Sequence, residues 1–127
     1  MKRTLILTVC VLAASLALCA VGMAALNASV DEARRLCSLA VLSEADGDTE
    51  AAQTAMSRLA GLWQERRGVM EMLAEHDALH EVSSAIADAR ICLERGDGDE
   101  FLRAMTLLNL ALNHLRDEQA LRWENLY

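Results

Sequence analysis

The chain has 127 residues, no proline, 3% aromatic residues and a formal charge of −7, so it can hold one modest domain whose core is built from Leu, Ala, Val and Met. No acid precedes Asp31, and from there on 10 Arg face 19 acids, a balance of −9 that nucleic-acid phosphates would repel. Nucleic acid is therefore excluded as a partner, and anionic headgroups gain nothing from the overall balance.

Met1-Lys2-Arg3 opens the chain, and no charged residue follows from Thr4 to Val30. The apolar run from Leu5 to Leu26 measures about 33 Å as a helix, against a hydrocarbon layer about 30 Å thick. It is predicted to be an uncleaved transmembrane anchor over residues 1–29. A cleaved signal peptide is the competing reading: its apolar region is shorter, and small residues such as Ala17, Ala20 and Gly22 offer cleavage sites. Leu16-Ala17-Leu18-Cys19 resembles a lipoprotein processing site, but Leu18 is too large for the position before the cysteine. Lys2 and Arg3 favour an N-terminus inside the cytoplasm and residues 30–127 outside, an orientation that Arg34 and Arg35 weaken slightly. The location expected is thus a cytoplasmic membrane, crossed once.

Residues 30–127 read as an acidic, all-helical, extracytoplasmic domain. The first outer helix, about 30–45, carries Val30, Ala33, Leu36, Cys37, Ala40 and Val41 on one stripe and can continue from the anchor. Asp46-Gly47-Asp48 and Gly96-Asp97-Gly98-Asp99 are helix-ending signals, a glycine for the left-handed cap followed by an aspartate as the next N-cap. Glu50 and Glu100 then suit the positive end of each following helix. Between these turns the stripe runs through Ala52, Ala55, Met56, Leu59, Leu62 and Trp63. It goes on through Val69, Met72, Leu73, His76, Leu79, Ser83, Ile86 and Leu93. One helix over 49–94 would be about 69 Å long. Gly61 and Gly68 are the candidate breaks, and a break there makes two hairpins, 30–67 and 69–125. Neither glycine has a proline or a cap beside it, so a single long, bent middle helix is expected. The last helix, about 99–125, places Phe101, Leu102, Met105, Leu108, Leu112 and Leu115 at helical spacing. The fold expected is all-α, a transmembrane helix followed by antiparallel hairpins of three to four helices. Leu42 to Asp48 and Leu93 to Asp99 match at an offset of 51 residues, which reads as shared turn chemistry.

Candidate chemistry is sparse. Cys10 and Cys19 lie in the apolar run; Cys37 and Cys92 lack metal-type spacing and are expected to pack as small hydrophobes, a disulfide between them being the alternative. His76-Asp77-Ala78-Leu79-His80 puts two histidines four apart on one helix face, with His114 or Glu81 as a third ligand. Asp77 stands where a zinc protease has its glutamate and is a methylene short. Helical spacing alone is a weak metal signal, so His76 is expected to be a packing residue, with His80 near the stripe's edge; no residue is assigned to metal or catalysis. Glu71, Glu75, Glu81, Asp88 and Glu94 read as a solvated face, and Ser83 and Ser84 lack a nucleophile's context. Trp63 is expected to anchor helix packing. Trp123, Leu126 and Tyr127 end the chain as a frayed terminus, an exposed docking tail being the alternative.

Trp63, Glu65-Arg66-Arg67 and Glu75-His76-Asp77-Ala78-Leu79-His80-Glu81-Val82, followed by Asp99-Glu100-Phe101-Leu102, His114-Leu115-Arg116-Asp117-Glu118 and Glu124-Asn125-Leu126, resemble a bacterial membrane-protein family. The family is labelled domain of unknown function 4363, and the resemblance covers nearly the whole chain. His80 departs from the acidic residue expected after the leucine, so only His76 matches and a shared histidine clamp is in doubt. The resemblance carries no catalytic residue or cofactor and implies an accessory protein acting beside a larger membrane partner. The function expected is a non-enzymatic, membrane-tethered interaction module that meets a membrane-protein partner or itself. The alternative is a metal-binding sensor or metalloenzyme using His76, His80 and His114.

Overall fold

The computed structural model describes the backbone of residues 1–126 and the side chains of all of these except Leu73 and residues 119–126. It is all-α, with four helices and no strand among the described residues: α1 (Lys2–Ala45), α2 (Thr49–Leu73), α3 (His76–Glu94) and α4 (Gly98–Leu126).

The apolar run and the first outer helix form one 44-residue helix, as their uninterrupted helical spacing allows. Its two halves have different surroundings. Residues 1–21 are exposed throughout, whereas Met23 touches the core and Leu26 is 2% exposed. From there Val30, Ala33, Leu36, Cys37 and Ala40 are buried and Val41 is half-buried, which is the predicted stripe. Packing therefore begins inside the apolar run.

Both glycine turns take one capping geometry. Gly47 has φ 82° and Gly96 φ 73°, the left-handed region that a side chain adopts only at a cost. In the first turn the Asp48 N–H donates to Ser43 O at 2.9 Å and the Gly47 N–H to Glu44 O at 3.0 Å. In the second the Asp97 N–H reaches Cys92 O at 3.1 Å and the Gly96 N–H reaches Leu93 O at 3.2 Å. These pairs satisfy carbonyls that a helix end leaves open. Asp48 Oδ1 then accepts from the Ala51 N–H at 3.1 Å, and Asp97 Oδ1 from the Glu100 N–H at 3.2 Å. The structurally equivalent glycines are thus Gly47 and Gly96. Gly98, which the 51-residue offset had aligned with Gly47, is the first residue of α4.

The middle segment departs from expectation. It is neither one bent helix nor broken at a glycine. Gly61 and Gly68 lie within α2, and the chain reverses at Ala74 (φ −123°, ψ 161°) and Glu75 (φ −68°, ψ 140°). The hairpin lets Leu79, Val82, Ile86, Ala89 and Leu93 of α3 join the core, a gain no straight rod offers. The stripe shifts as well: Met70 and Ala74 are buried, while Val69 is 51% and Met72 86% exposed. Leu102 on α4 is exposed too, although Phe101, Met105, Leu108, Leu112 and Leu115 are buried as predicted.

The helices run up and down, α1 with α2 and α3 with α4 packing most extensively, joined by α2 against α3 and closed by α1 against α4. The two hairpins share one core. Arg116 of α4 meets Asp31 of α1 at 2.9 Å across the closing interface.

Candidate functional site

A surface groove runs along the α2–α3 interface. Trp63 is buried against it, and its indole Nε1–H donates to Ser83 Oγ at 2.7 Å. This is the only side-chain hydrogen bond between α2 and α3 among the described residues. Trp63 thus performs the packing role expected of it, and Ser83 serves as its acceptor. Above the ring, small residues (Ser57, Ala60, Gly61, Ala87) leave an open groove of about 400 Å³ flanked by Arg67 and Arg90. In the sequence Arg67 stands out only as part of Glu65-Arg66-Arg67, and Arg90 not at all. Their shared edge becomes visible only once the reversal at residues 74–75 sets α3 antiparallel to α2. Arg67 donates to Glu71 on its own helix at 3.2 Å, so it is partly neutralised.

The predicted histidine cluster is spread out. His76 begins α3 and is exposed, contrary to the packing role expected of it; His80 is exposed as well. His114 on α4 lies 3.6 Å through Nδ1 from Glu81 Oε2 on α3, so the two candidate third ligands face each other. Among the described residues no three His, Cys, Asp or Glu side chains gather closely enough to hold a metal ion.

The carboxylates named above are exposed, Glu71 and Glu81 in the ion pairs just given; Glu94 lines a depression between α3 and α2. On α1, Arg35 donates to both Glu32 oxygens, at 3.1 and 2.7 Å, and these bonds hold the Glu32 carboxyl below its ordinary range. Cys37 is fully buried and Cys92 partly so, and both are free thiols. Burial pushes the Cys37 thiol up to about 12, with Arg34 opposing weakly, so it is inert as a nucleophile near neutral pH. Trp123, Leu126 and Tyr127, the expected terminus, lie outside the described side chains.

Exposed apolar residues are the remaining feature. Leu107 and Leu110 of α4 are 57% and 58% exposed, on the side away from buried Leu108 and Leu112. Leu39 and Leu42 of α1 and Ile91 of α3 are exposed as well.

Against known families, residues 21–126 match the one described as a domain of unknown function (DUF4363). The chain belongs to this family. The DUF4363 match starts at residue 21, where α1 passes from its bare segment into the bundle, so it covers the packed unit and leaves out the exposed helix before it. No curated protein and no solved structure matches the chain.

Proposed function

We propose that this DUF4363 member is a non-enzymatic accessory protein. The first part of α1 crosses the membrane once, and the four-helix bundle is held outside the cytoplasm as an interaction surface. The observation that carries the reading is the division of α1. Residues 4–21 carry no charge and are exposed throughout, yet they continue as one helix into an element of the core. This is the one described helix long and apolar enough to cross a bilayer. Lys2 and Arg3 favour keeping its start inside.

The interaction half rests on α4. Its inner face is filled by Phe101, Met105, Leu108, Leu112 and Leu115, and its outer face still presents Leu107 and Leu110. α3 and α1 cover its inner face, and a helix that is apolar on its outer face as well suits a further neighbour. That further neighbour is a membrane-protein partner or a second copy.

A photo-crosslinking residue at Leu110 in cells tests this. Adducts to one discrete protein, together with a C-terminal reporter active only outside the cytoplasm, are the expected result. A cytosolic reporter would remove the tether, and crosslinks to no protein at all would remove the interaction surface.

A further inference from the structure

Ala25, Leu26 and Ser29 of α1 line one shallow depression with Arg66, Val69 and Met70 of α2. The two helices are antiparallel, so one more turn along α2 brings Met72 level with about Met23. From Arg3 to Met23 is about 30 Å at 1.5 Å per residue, the thickness of the hydrocarbon layer at about 30 Å. With Lys2 and Arg3 at the inner boundary, the outer boundary falls where Met72 sits.

Met72 is 86% exposed and Val69, one turn above it, 51% exposed. A bundle with a filled core and a turn of two residues had no need to place apolar side chains there. Arg66 and Arg67 follow within the next turn, at the depth of the headgroup layer, where guanidinium groups meet lipid phosphates. Glu71, Glu75, His76 and Asp77 are also exposed at this corner, so its polar tip stays in the hydrated headgroup layer and no anionic lipid is demanded.

We propose that the α2–α3 corner rests in the headgroup layer beside the emerging anchor, with Met72 and Val69 reaching the acyl boundary as a second lipid contact of the bundle. The inference rests on the anchor reading above. Two attachment points about one helix diameter apart prevent the bundle from swivelling freely about α1, so the outer face of α4 keeps a defined orientation to the membrane.

The test uses the full chain in phosphatidylcholine vesicles, with benzoylphenylalanine placed in turn at positions 72, 12 and 42. Leu12 lies within the anchor, and Leu42, itself 64% exposed, stands at the far end of the bundle, about 28 Å beyond Met23 along α1. After irradiation, lipid adducts are expected at positions 72 and 12 and not at 42. Adducts at 12 without any at 72, or chain-to-chain adducts at 72, would overturn the second contact and leave the anchor standing. Adducts at 42 as strong as those at 72 would show that the probe seeks lipid by itself, and the inference would fall. No adduct at position 12 would remove anchor and corner together.

Discussion

The hydrogen bond from Trp63 to Ser83 is the point where the two hairpins can be uncoupled by a small perturbation. Trp63 is 5% exposed, and its indole N–H reaches Ser83 Oγ at 2.7 Å across α2 and α3. Trp63→Phe keeps most of the ring and removes the donor, while Ser83→Ala removes the acceptor. A net protein hydrogen bond contributes about 0.5–1.5 kcal/mol, so each single change should cost about 1 kcal/mol. The double variant should cost little more than either single one, because both remove the same bond. Trp63→Ala adds a cavity and should cost about 3–5 kcal/mol, a large share of the roughly 5–15 kcal/mol that holds a domain together. Urea titrations of the full chain in detergent micelles, followed by far-UV circular dichroism, give all four values. A coupling below about 0.3 kcal/mol would refute the reasoning. The ring would then join the hairpins by packing alone.

Glycine substitutions should sort by backbone conformation. Gly47→Ala and Gly96→Ala force a side chain into positive φ and should each destabilise by about 1 kcal/mol. Gly61→Ala and Gly68→Ala place a methyl in open space within a helix and should stabilise by up to about 1 kcal/mol each. Destabilisation at Gly61 or Gly68 in the same titration would mean that α2 needs a flexible point there. Cys37 links stability to pH: its folded thiol titrates at about 12 against an ordinary value of 9.0. Its contribution should therefore be full below pH 9 and fall as pH rises towards 12, because only the unfolded chain releases the proton in that window. Cys37→Ala, measured alongside, should lack this part of the alkaline loss; an identical decline in both chains would refute the assignment. His80→Ala should leave the unfolding midpoint unchanged with or without a chelator, and stoichiometric zinc in the purified chain would restore the metalloprotein alternative.

What was legible in the sequence was local chemistry. Gly47-Asp48 and Gly96-Asp97 combine a left-handed cap with a side-chain acceptor, so each dipeptide ends one helix and starts the next. The stripes of α1 and α4 were readable because each lies next to such a turn and has a single inner face. The reversal at Ala74-Glu75 has no comparable signal. Glu75 stands at the N-cap without a side-chain cap bond, and neither residue is glycine or proline. Its cause is tertiary. Folding α3 back buries Leu79, Val82, Ile86 and Leu93, at about 1.5–3 kcal/mol each, or about 6–12 kcal/mol as an upper estimate. Even if half of that burial were kept against α4 alone, the remainder matches or exceeds the few kcal/mol of helical hydrogen bonding forgone at the turn.

The same reversal explains why the candidate site was misplaced. While residues 49–94 are read as one helix, a single phase must serve its whole length, and that phase takes Val69, Met72 and His76 inward. Once the chain turns at residue 74, α3 takes its own phase and is free to put Ala78 and Leu79 inward while His76 and His80 face water. The final turns of α2 then follow Met70 and Ala74, leaving Met72 outside. Histidines four apart still share a face, as the spacing requires, but the face is solvent, and what looked like a clamp lacks walls. Arg67 and Arg90, separated by most of a helical hairpin in sequence, come to flank one groove for the same reason. A surface assembled from two helices depends on their register, and register here is set by a turn that only the packed core specifies.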